Sequence, residues 1–273
     1  MPELPEVETV RRGLAELIMG RRVEQAWCGR SDLRYPFPAG FVSALEGSVI
    51  SRIDRRGKYL LFALGDGRLL AWHLGMTGQF HVLPAQSPAA KHEHVRLLLD
   101  DGGSLRYRDA RRFGYAGLMD EDHWQSHPWF AHMGPEPLSE DFNAAVLAGL
   151  CRGRKSPIKG VIMDAHVVAG IGNIYACEAL YGAGIHPGRA AGRISLLRLQ
   201  GLIDSIRTVL LAAIEAGGSS ISDFVRADGR PGMFAHQFSV YGRAGKPCPA
   251  CGGEIRRIVQ AGRSSFFCPG CQH

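Results

Sequence analysis

No stretch of this 273-residue sequence is apolar for the length needed to cross a lipid bilayer, and no basic segment followed by an apolar run resembles a secretion leader. We therefore expect no membrane partner and a cytoplasmic location. Internal repeats and low-complexity tracts are also absent, so the sequence gives no support to a repeat architecture. The length suffices for two domains, each with its own core.

A disulfide framework is missing too, because the seven cysteines are an odd number and four of them form one C-terminal cluster. Cys28, Cys151 and Cys177 are scattered, and we interpret them as reduced residues of the core or surface. The cluster consists of two Cys-x-x-Cys pairs: Cys248, Cys251, Cys268 and Cys271. This spacing is typical of one structural, tetrahedral zinc ion, with redox-active pairs as the alternative.

The chain has a moderate excess of positive charge. A net charge of +6 favours a polyanionic partner, although many basic proteins bind none. Between the cysteine pairs, residues 254–259 and 264–267 are predicted to form strands, which places Arg263 at the tip of a metal-fixed hairpin. A basic residue at that position suits a contact with phosphate or with the minor groove.

The first residues carry a separate signal. Proline at position 2 permits removal of Met1, so we expect the mature chain to begin with the secondary amine of Pro2 beside the carboxylate of Glu3. A neutral amine is a nucleophile, and the iminium that a secondary amine forms with a sugar carbon stays cationic. The alternative is an ordinary solvated terminus. Apolar residues at helical spacing then predict a packed amphipathic helix: Val7, Val10, Leu14, Leu17 and Ile18.

Short strands with glycine turns dominate residues 23–119, which predicts an antiparallel sandwich or barrel. The clearest hairpins pair residues 58–64 with 68–74 and 95–99 with 104–107. Residues 131–138 form a joint rich in proline and glycine, after which helices dominate. One helix is predicted from an N-cap at Ser195 to Ala216.

Two loops carry apolar residues that suit entry into DNA. Met76 lies between two glycines and is either exposed on a turn or a core residue. Residues 109–114 form either a strand end over a salt bridge or a loop that enters DNA. An enzyme that acts on a base in a duplex must extrude that base, and side chains must then fill the gap. Met76 and Phe113 are suitable fillers, and Arg111 can hydrogen-bond the orphaned partner base.

A glycine-rich turn, Gly-Ile-Gly-Asn within residues 168–176, precedes a helix. It resembles a nucleotide-binding turn, but no strand and acidic residue complete a dinucleotide-binding unit. We interpret it as a place where the backbone approaches a phosphate at a helix N-terminus.

These motifs together resemble the bacterial formamidopyrimidine-DNA glycosylase family, above all in MPELPEVETVRRGL at the start, the Arg-Arg-Phe loop, Gly-Ile-Gly-Asn-Ile-Tyr-Ala and the cysteine pairs. The resemblance implies an α+β fold: an N-terminal antiparallel β-sandwich with an N-terminal helix, then a helical helix–two-turn–helix domain and a C-terminal zinc ribbon. We place these domains at residues 1–133, 134–241 and 242–273.

The resemblance also implies individual roles. Pro2 is the expected nucleophile, Glu3 the proton donor and Lys58 an active-site lysine that meets phosphate. The expected DNA-binding residues are His73, Met76, Arg111, Phe113, Lys159, Asn173, Tyr241 and Arg263. Glu178 corresponds to a family glutamate that shapes the active site. Apart from the resemblance, we expect Glu6 to help order the pocket.

Two positions depart from the family pattern. Ala110 stands where proline is more common, which should loosen its loop. Met233 stands where tyrosine is common, within a segment of about residues 217–238. We interpret this segment as a lid over the flipped base, with a plain surface connection as the alternative.

We therefore expect a monomeric, bifunctional DNA glycosylase and abasic-site lyase, associated with a bacterial nucleoid. It should excise 8-oxoguanine and formamidopyrimidines from duplex DNA through a Pro2 iminium and β,δ-elimination. One alternative is the endonuclease VIII branch, which prefers oxidised pyrimidines and usually departs from the Pro-Glu-Leu-Pro-Glu start and the Arg-Arg-Phe loop. Another is a zinc-ribbon DNA-binding protein without catalysis, against which intact Pro2 and Glu3 argue.

Overall fold

The N-terminal helix forms where the apolar spacing predicts it. In the computed structural model, which describes residues 1–219 and 237–273, helix α1 spans Leu4–Ile18 with Glu3 as its N-cap. The buried face of α1 carries Leu4, Val7, Val10, Leu14 and Ile18. Leu17, predicted on the same face, is instead 43 % exposed. Each residue advances about 100° around a helix, so position 17 falls at the edge of the buried stripe.

Two four-stranded antiparallel sheets follow α1. Their strands, with the short helix α2 at Phe41–Leu45, are β1 Val23–Cys28, β2 Arg52–Arg56, β3 Tyr59–Ala63, β4 Arg68–His73, β5 Gly78–Pro84, β6 Glu93–Leu99, β7 Gly103–Asp109 and β8 Tyr115–Asp120. The strand order is β1-β6-β7-β5 in one sheet and β2-β3-β4-β8 in the other. Both predicted hairpins are present as β3–β4 and β6–β7.

An aromatic cluster joins the two sheets. Trp72 on β4 lies 5.1 Å from Phe80 on β5 and 4.6 Å from Tyr107 on β7, measured between ring centroids. All three side chains are buried, and the apolar face of α1 belongs to the same core. The sheets therefore pack as a sandwich, and the turns at its end carry the candidate site residues.

Helices dominate the next part of the chain, as predicted. They are α3 Ala144–Cys151, α4 Ile158–Ile162, α5 Asn173–Gly182 and α6 Leu196–Glu215. A C-terminal hairpin pairs β9 Arg256–Gln260 with β10 Arg263–Phe267. Ala261 and Gly262, with φ of 47° and 74°, form its tight turn, so Arg263 lies at the tip as predicted.

The chain divides into two compact units. The first contains Met1–Ala131 and the segment that begins at Ala216, and the second contains His132–Glu215 and the C-terminal segment. Most of the predicted lid, including Met233, lies outside the described residues. Among the residues that the structure describes, no helix combines the length and hydropathy of a membrane span.

Candidate active site and DNA-contacting residues

The N-terminal segment is held at the start of α1 by a buried carboxylate. The Glu3 N–H donates to Glu6 Oε2 at 2.9 Å, and the N–H and hydroxyl of Ser219 each donate to Glu6 Oε1 at 2.8 Å. Glu6 and Glu3 are 2 % and 3 % exposed, and Pro2 is also buried. Most chain termini are poorly ordered unless they are tied down. Glu6 therefore fixes residues 2 and 3 against the first unit.

Strand register places His73 between two tyrosines. Its partners on the neighbouring strands are Tyr59 on β3 and Tyr115 on β8. The imidazole stacks on Tyr115 with centroids 4.9 Å apart and meets Tyr59 edge-on at 5.0 Å. The two tyrosine hydroxyls lie 2.6 Å apart and fix this arrangement.

The surroundings of His73 keep it neutral. Burial lowers the pKa of His73 to about 3, and the positive charges of Lys58 and Arg34 contribute to the decrease. Lys58 follows Gly57, whose φ of 55° makes the tight β2–β3 turn. His73 Nδ1 accepts the N–H of Gly75 at 3.0 Å, so the single ring proton lies on Nε2. His73 thus offers a neutral N–H donor beside the cationic Lys58.

The three residues predicted to enter DNA lie on two loops that contact each other, the β4–β5 turn and the loop of residues 109–114. Met76 is 39 % exposed and Phe113 is 41 % exposed. The Arg111 guanidinium lies 4.7 Å from the centroid of the Phe113 ring. The core alternative for Met76 is thereby wrong, and an apolar pair with one cation faces solvent at this end of the sandwich.

Asp109 fastens the two loops together. Its Oδ1 accepts the Thr77 hydroxyl at 2.5 Å and the Arg111 N–H at 3.3 Å. Its Oδ2 accepts the Gly114 N–H at 2.8 Å and the Tyr107 hydroxyl at 3.3 Å. Asp109 is fully buried. One carboxylate therefore sets the position of both loops, and we call this group the Asp109 clamp.

Two glycines permit close contacts in these loops. A Cβ on Gly75 would lie 2.3 Å from the carbonyl carbon of Phe113, and Gly75 has a φ of 66°. A Cβ on Gly114 would lie 1.8 Å from the Tyr107 hydroxyl. A larger residue at position 75 would push the loops apart, and one at position 114 would collide with the side chain of Tyr107, because real Cβ contacts are longer than these distances.

In the second unit, Lys159 is a buried connector. Its Nζ donates to Asn173 Oδ1 at 2.5 Å, to Ser265 Oγ at 2.6 Å and to the Ser264 carbonyl at 3.1 Å. Asn173 Nδ2 also donates to the Ser264 carbonyl, at 3.0 Å. Lys159 is only 2 % exposed. It joins the start of α5 to strand β10, and its predicted contact with DNA stays a prediction.

Glu178 holds the backbone around Tyr241. The backbone N–H groups of Ser239, Val240 and Tyr241 donate to its carboxylate at 2.9, 3.0 and 2.8 Å. Burial raises the pKa of the Glu178 carboxyl, and the three donors oppose that rise. The Tyr241 ring packs against Phe266 of β10, with centroids 5.1 Å apart.

The four C-terminal cysteines converge as a metal site requires. Their sulfur atoms all lie within 4.8 Å of one another, and Cys251 and Cys268 are 3.4 Å apart. A tetrahedron with Zn–S bonds of about 2.3 Å places its sulfurs about 3.8 Å apart. The neighbouring thiols Cys251 and Cys268 raise the pKa of Cys271 to about 12, so a cation is needed to stabilise four thiolates together. The residues fit zinc, and the Tyr181 hydroxyl lies 3.3 Å from Cys248 Sγ.

The sequence did not reveal several residues that organise these groups. Asp109 lay within a predicted motif, but no role was predicted for it. No role was predicted either for Ser219, Tyr59, Tyr115 or Tyr181. The sequence offered only a weak indication for Tyr59, namely its position directly after Lys58 at the start of a strand. Its contact with His73 depends on the strand register.

Comparison with known proteins agrees with this geometry. Residues 1–116 match the formamidopyrimidine-DNA glycosylase N-terminal domain, residues 133–225 match the H2TH domain of that enzyme, and residues 245–273 match a zinc finger found in FPG and IleRS. A formamidopyrimidine-DNA glycosylase of Cereibacter sphaeroides is 49 % identical over 282 residues, and one of Alkalilimnicola ehrlichii is 50 % identical over 281 residues. Both alignments cover 100 % of each chain.

Solved structures give the same result. A Lactococcus lactis FPG mutant in complex with DNA containing Fapy-dG has a TM-score of 0.93 at 36 % identity, and L. lactis Fpg with abasic-site DNA has 0.92 at 37 %. Each covers 100 % of both chains. Fold and site define a zinc-ribbon protein built for contact with DNA. More narrowly, the chain belongs to the formamidopyrimidine-DNA glycosylase family. The predicted α+β fold and the single structural zinc ion are thereby confirmed.

The Asp109 clamp can be tested with Asp109→Ala. The change leaves the buried Tyr107 hydroxyl and Gly114 N–H without their acceptor, which should lower the free energy of unfolding by about 2–4 kcal/mol. The change should also displace Arg111 and Phe113. Because these residues would no longer position the DNA correctly, single-turnover excision of a base lesion should slow about 10–100-fold. Cleavage of a preformed abasic site should fall much less. Asp101→Ala, which removes another turn-capping aspartate, is the control. Equal losses on both substrates would contradict a positioning role.

The low pKa of His73 predicts a pH-dependent stability. Between its pKa of about 3 in the folded state and the ordinary 6.5 in the unfolded state, the unfolded chain binds the extra proton. The wild type should therefore lose stability as pH falls from 6.5 towards 4, and His73→Gln should lack this component. The difference in free energy of unfolding between the two proteins, measured by urea denaturation, should narrow over that range. A constant difference would contradict the prediction, and the exposed His132→Gln is the control.

Zinc removal should disconnect the hairpin from the helices. In Cys268→Ser we expect loss of one zinc ion per chain, measured with a colorimetric chelator. DNA affinity should fall at least about tenfold, because Arg263 is displaced and phosphate contacts dominate affinity. Cys28→Ser, which changes a cysteine outside the cluster, should keep both the metal and the affinity. If the metal-free Cys268→Ser variant bound DNA as tightly as the wild type, the hairpin would not contribute to DNA affinity.

Proposed function

We propose that the amine of Pro2 is the nucleophile with which this chain excises oxidised purines from duplex DNA. The chain is a DNA-formamidopyrimidine glycosylase, and abasic-site lyase activity is characteristic of its family. The observation that carries the residue assignment is the buried N-terminal segment, which Glu6 ties to the start of α1. Removal of Met1 would free a secondary amine at a fixed position beside Glu3.

The chemistry then follows from these two groups. The Pro2 nitrogen attacks C1′ of the extruded nucleotide, the bond from C1′ to the base breaks, and the base leaves with a proton. Glu3 protonates the ring oxygen of the sugar, the ring opens, and the nitrogen and C1′ form an iminium. The Glu3 carboxylate, now deprotonated, takes a proton from C2′, and the electron pair of that C–H bond moves into the iminium to form an enamine. The 3′ phosphate then leaves as the bond from C3′ to oxygen breaks. A second elimination breaks the bond from C5′ to oxygen, so the strand is cut on both sides.

DNA contacts divide into two kinds. We assign contacts with the phosphate backbone to Lys58, His73, Asn173, Tyr241 and Arg263, because each offers an N–H, O–H or cationic donor. We assign the vacated space in the base stack to Met76, Arg111 and Phe113, which the Asp109 clamp holds together. Filling the gap with apolar side chains offsets the free energy of unstacking.

The zinc ion is structural in this proposal. Cys248, Cys251, Cys268 and Cys271 provide four ligands, so no coordination position remains for substrate. Its effect on activity is to hold the β9–β10 hairpin and thereby Arg263. A monomeric state and a cytoplasmic, nucleoid-associated location agree with a chromosomal substrate and stay part of the proposal.

Oxidised pyrimidines should be tested as substrates alongside oxidised purines. The wild-type L. lactis Fpg, 37 % identical to this chain, has been solved with DNA containing an oxidised pyrimidine. We propose oxidised purines as the preferred substrates here, and we expect slower excision of pyrimidine lesions.

The nucleophile is tested by borohydride trapping. The protein is incubated with a duplex that contains 8-oxoguanine opposite cytosine, and the cross-linked peptide is located by mass spectrometry. We expect one adduct on Pro2 and none in a variant whose N-terminal extension keeps the Pro2 nitrogen in an amide bond. That variant should still bind the abasic-site duplex. An adduct on a lysine would overturn the assignment of Pro2, and trapping only with pyrimidine lesions would overturn the substrate preference.

A further inference from the structure

The positive charge of the chain is concentrated in two acid-free stretches. Residues 142–163 and 179–203 contain seven arginines and lysines and no aspartate or glutamate, whereas the net charge of the whole chain is only +6. The rest of the chain is therefore close to neutral. A local field of this kind attracts polyanions, and net charge alone would not reveal it.

The structure brings parts of these two stretches together. Ile158 N–H donates to the Arg189 carbonyl at 2.9 Å, Ala191 N–H to the Ser156 carbonyl at 3.0 Å, and Gly192 N–H to the Arg154 carbonyl at 2.9 Å. A Cβ on Gly192 would lie 3.0 Å from the carbonyl oxygens of Cys151 and Arg154, so this close approach favours glycine. The two loops therefore form one fixed surface of the second unit.

A pocket of about 340 Å³ opens between these loops, and we call it the cationic pocket. It is lined by Gly153, Arg154, Lys155, Ala190, Gly192 and Arg193. The lining has three cations and no acid. Their side chains are exposed and form no hydrogen bond or ion pair with any other part of the chain that the structure describes.

These unpaired side chains contrast with arginines elsewhere on the protein. Arg12, Arg52 and Arg68, for example, each form an ion pair with a neighbouring carboxylate. Three cations that converge without a counter-ion repel one another, and a bound anion would remove that repulsion. Arg189, next to the pocket residue Ala190, has a buried Nε with no acceptor among the described residues.

The cationic pocket is continuous with residues assigned to DNA contact. Gln260 Nε2 at the end of β9 lies 3.4 Å from the Pro187 carbonyl, and Gln260 pairs with Arg263 at the hairpin tip. Lys159 is the second residue of α4, and its N–H donates to the Pro187 carbonyl at 3.4 Å, while the N–H of Ile158, the first residue of α4, donates to the Arg189 carbonyl. One loop thus links the hairpin tip, the Lys159–Asn173 contact and the pocket.

From this geometry we infer that the cationic pocket binds a backbone phosphate of DNA outside the lesion, through Arg154, Lys155 and Arg193. This inference rests on the proposed function only in taking duplex DNA as the partner. Such a contact carries no sequence information, and it adds affinity for damaged and undamaged DNA alike.

The test compares two triple variants with equal loss of charge. One is Arg154→Ser with Lys155→Ser and Arg193→Ser, and the control is Arg12→Ser with Arg21→Ser and Arg22→Ser, at exposed positions of the first unit. The affinity for an undamaged 30-base-pair duplex is measured from low to moderate salt. Each lost phosphate contact lowers the slope of log K against log salt by about 0.9. We expect the pocket variant to lose at least about one contact and about tenfold in affinity, relative to the control.

Single-turnover excision at saturating enzyme separates this inference from the proposed function. The rate in the pocket variant should equal that of the wild type, because the pocket does not supply the nucleophile. Equal salt slopes in the two triple variants would overturn the inference while leaving the Pro2 mechanism intact. An unchanged slope on DNA with a lowered slope on an RNA duplex would also overturn it.

Discussion

Burial of a carboxylate is unfavourable unless hydrogen-bond donors surround it, and this constraint organises the functional segments of the protein. Glu6 accepts backbone donors of the N-terminal segment, Asp109 those of the loop at residues 111–114, and Glu178 those around Tyr241. In each case the acceptor sits in regular structure, on α1, at the end of β7 or on α5, and the backbone N–H donors come from segments outside helices and strands. The carboxylates therefore give loops the positional accuracy of helices and strands.

Lys159 is the corresponding case of a buried positive charge, which is surrounded by hydrogen-bond acceptors. Its ammonium group collects oxygen atoms from Asn173 at the start of α5 and from Ser264 and Ser265 on β10. The zinc ligands fix the other end of the same hairpin, where the Tyr181 hydroxyl of α5 meets Cys248. A hairpin of two five-residue strands is too small to be stable alone. The buried cation and the metal site together attach it to the helices of the second unit.

Much of the fold could be predicted because its signals are local. Helical spacing of Val7, Val10 and Leu14 gave α1, glycine turns gave the hairpins, and the cysteine pairs gave the metal site. The clamp at Asp109 could not be predicted, because its donors come from a turn some thirty residues away and from the far end of its own loop. The neutral state of His73 likewise depends on the register that sets it between Tyr59 and Tyr115. The catalytic roles of Pro2 and Glu3 were inferred from the family resemblance and from their chemistry. Burial and hydrogen bonds describe where these residues lie and do not identify the reaction.

The backbone contact between Gly75 and Phe113 has a kinetic consequence. A loop that orders only on reaching DNA would lose conformational entropy at every encounter, about 1–2 kcal/mol for each residue fixed. Here the loop is already shaped by Asp109 and two glycines before any DNA arrives. Sound base pairs vastly outnumber damaged ones, so nearly all encounters are unproductive. A loop that is already ordered needs no ordering step at each of those encounters, so the time needed to survey a chromosome falls accordingly.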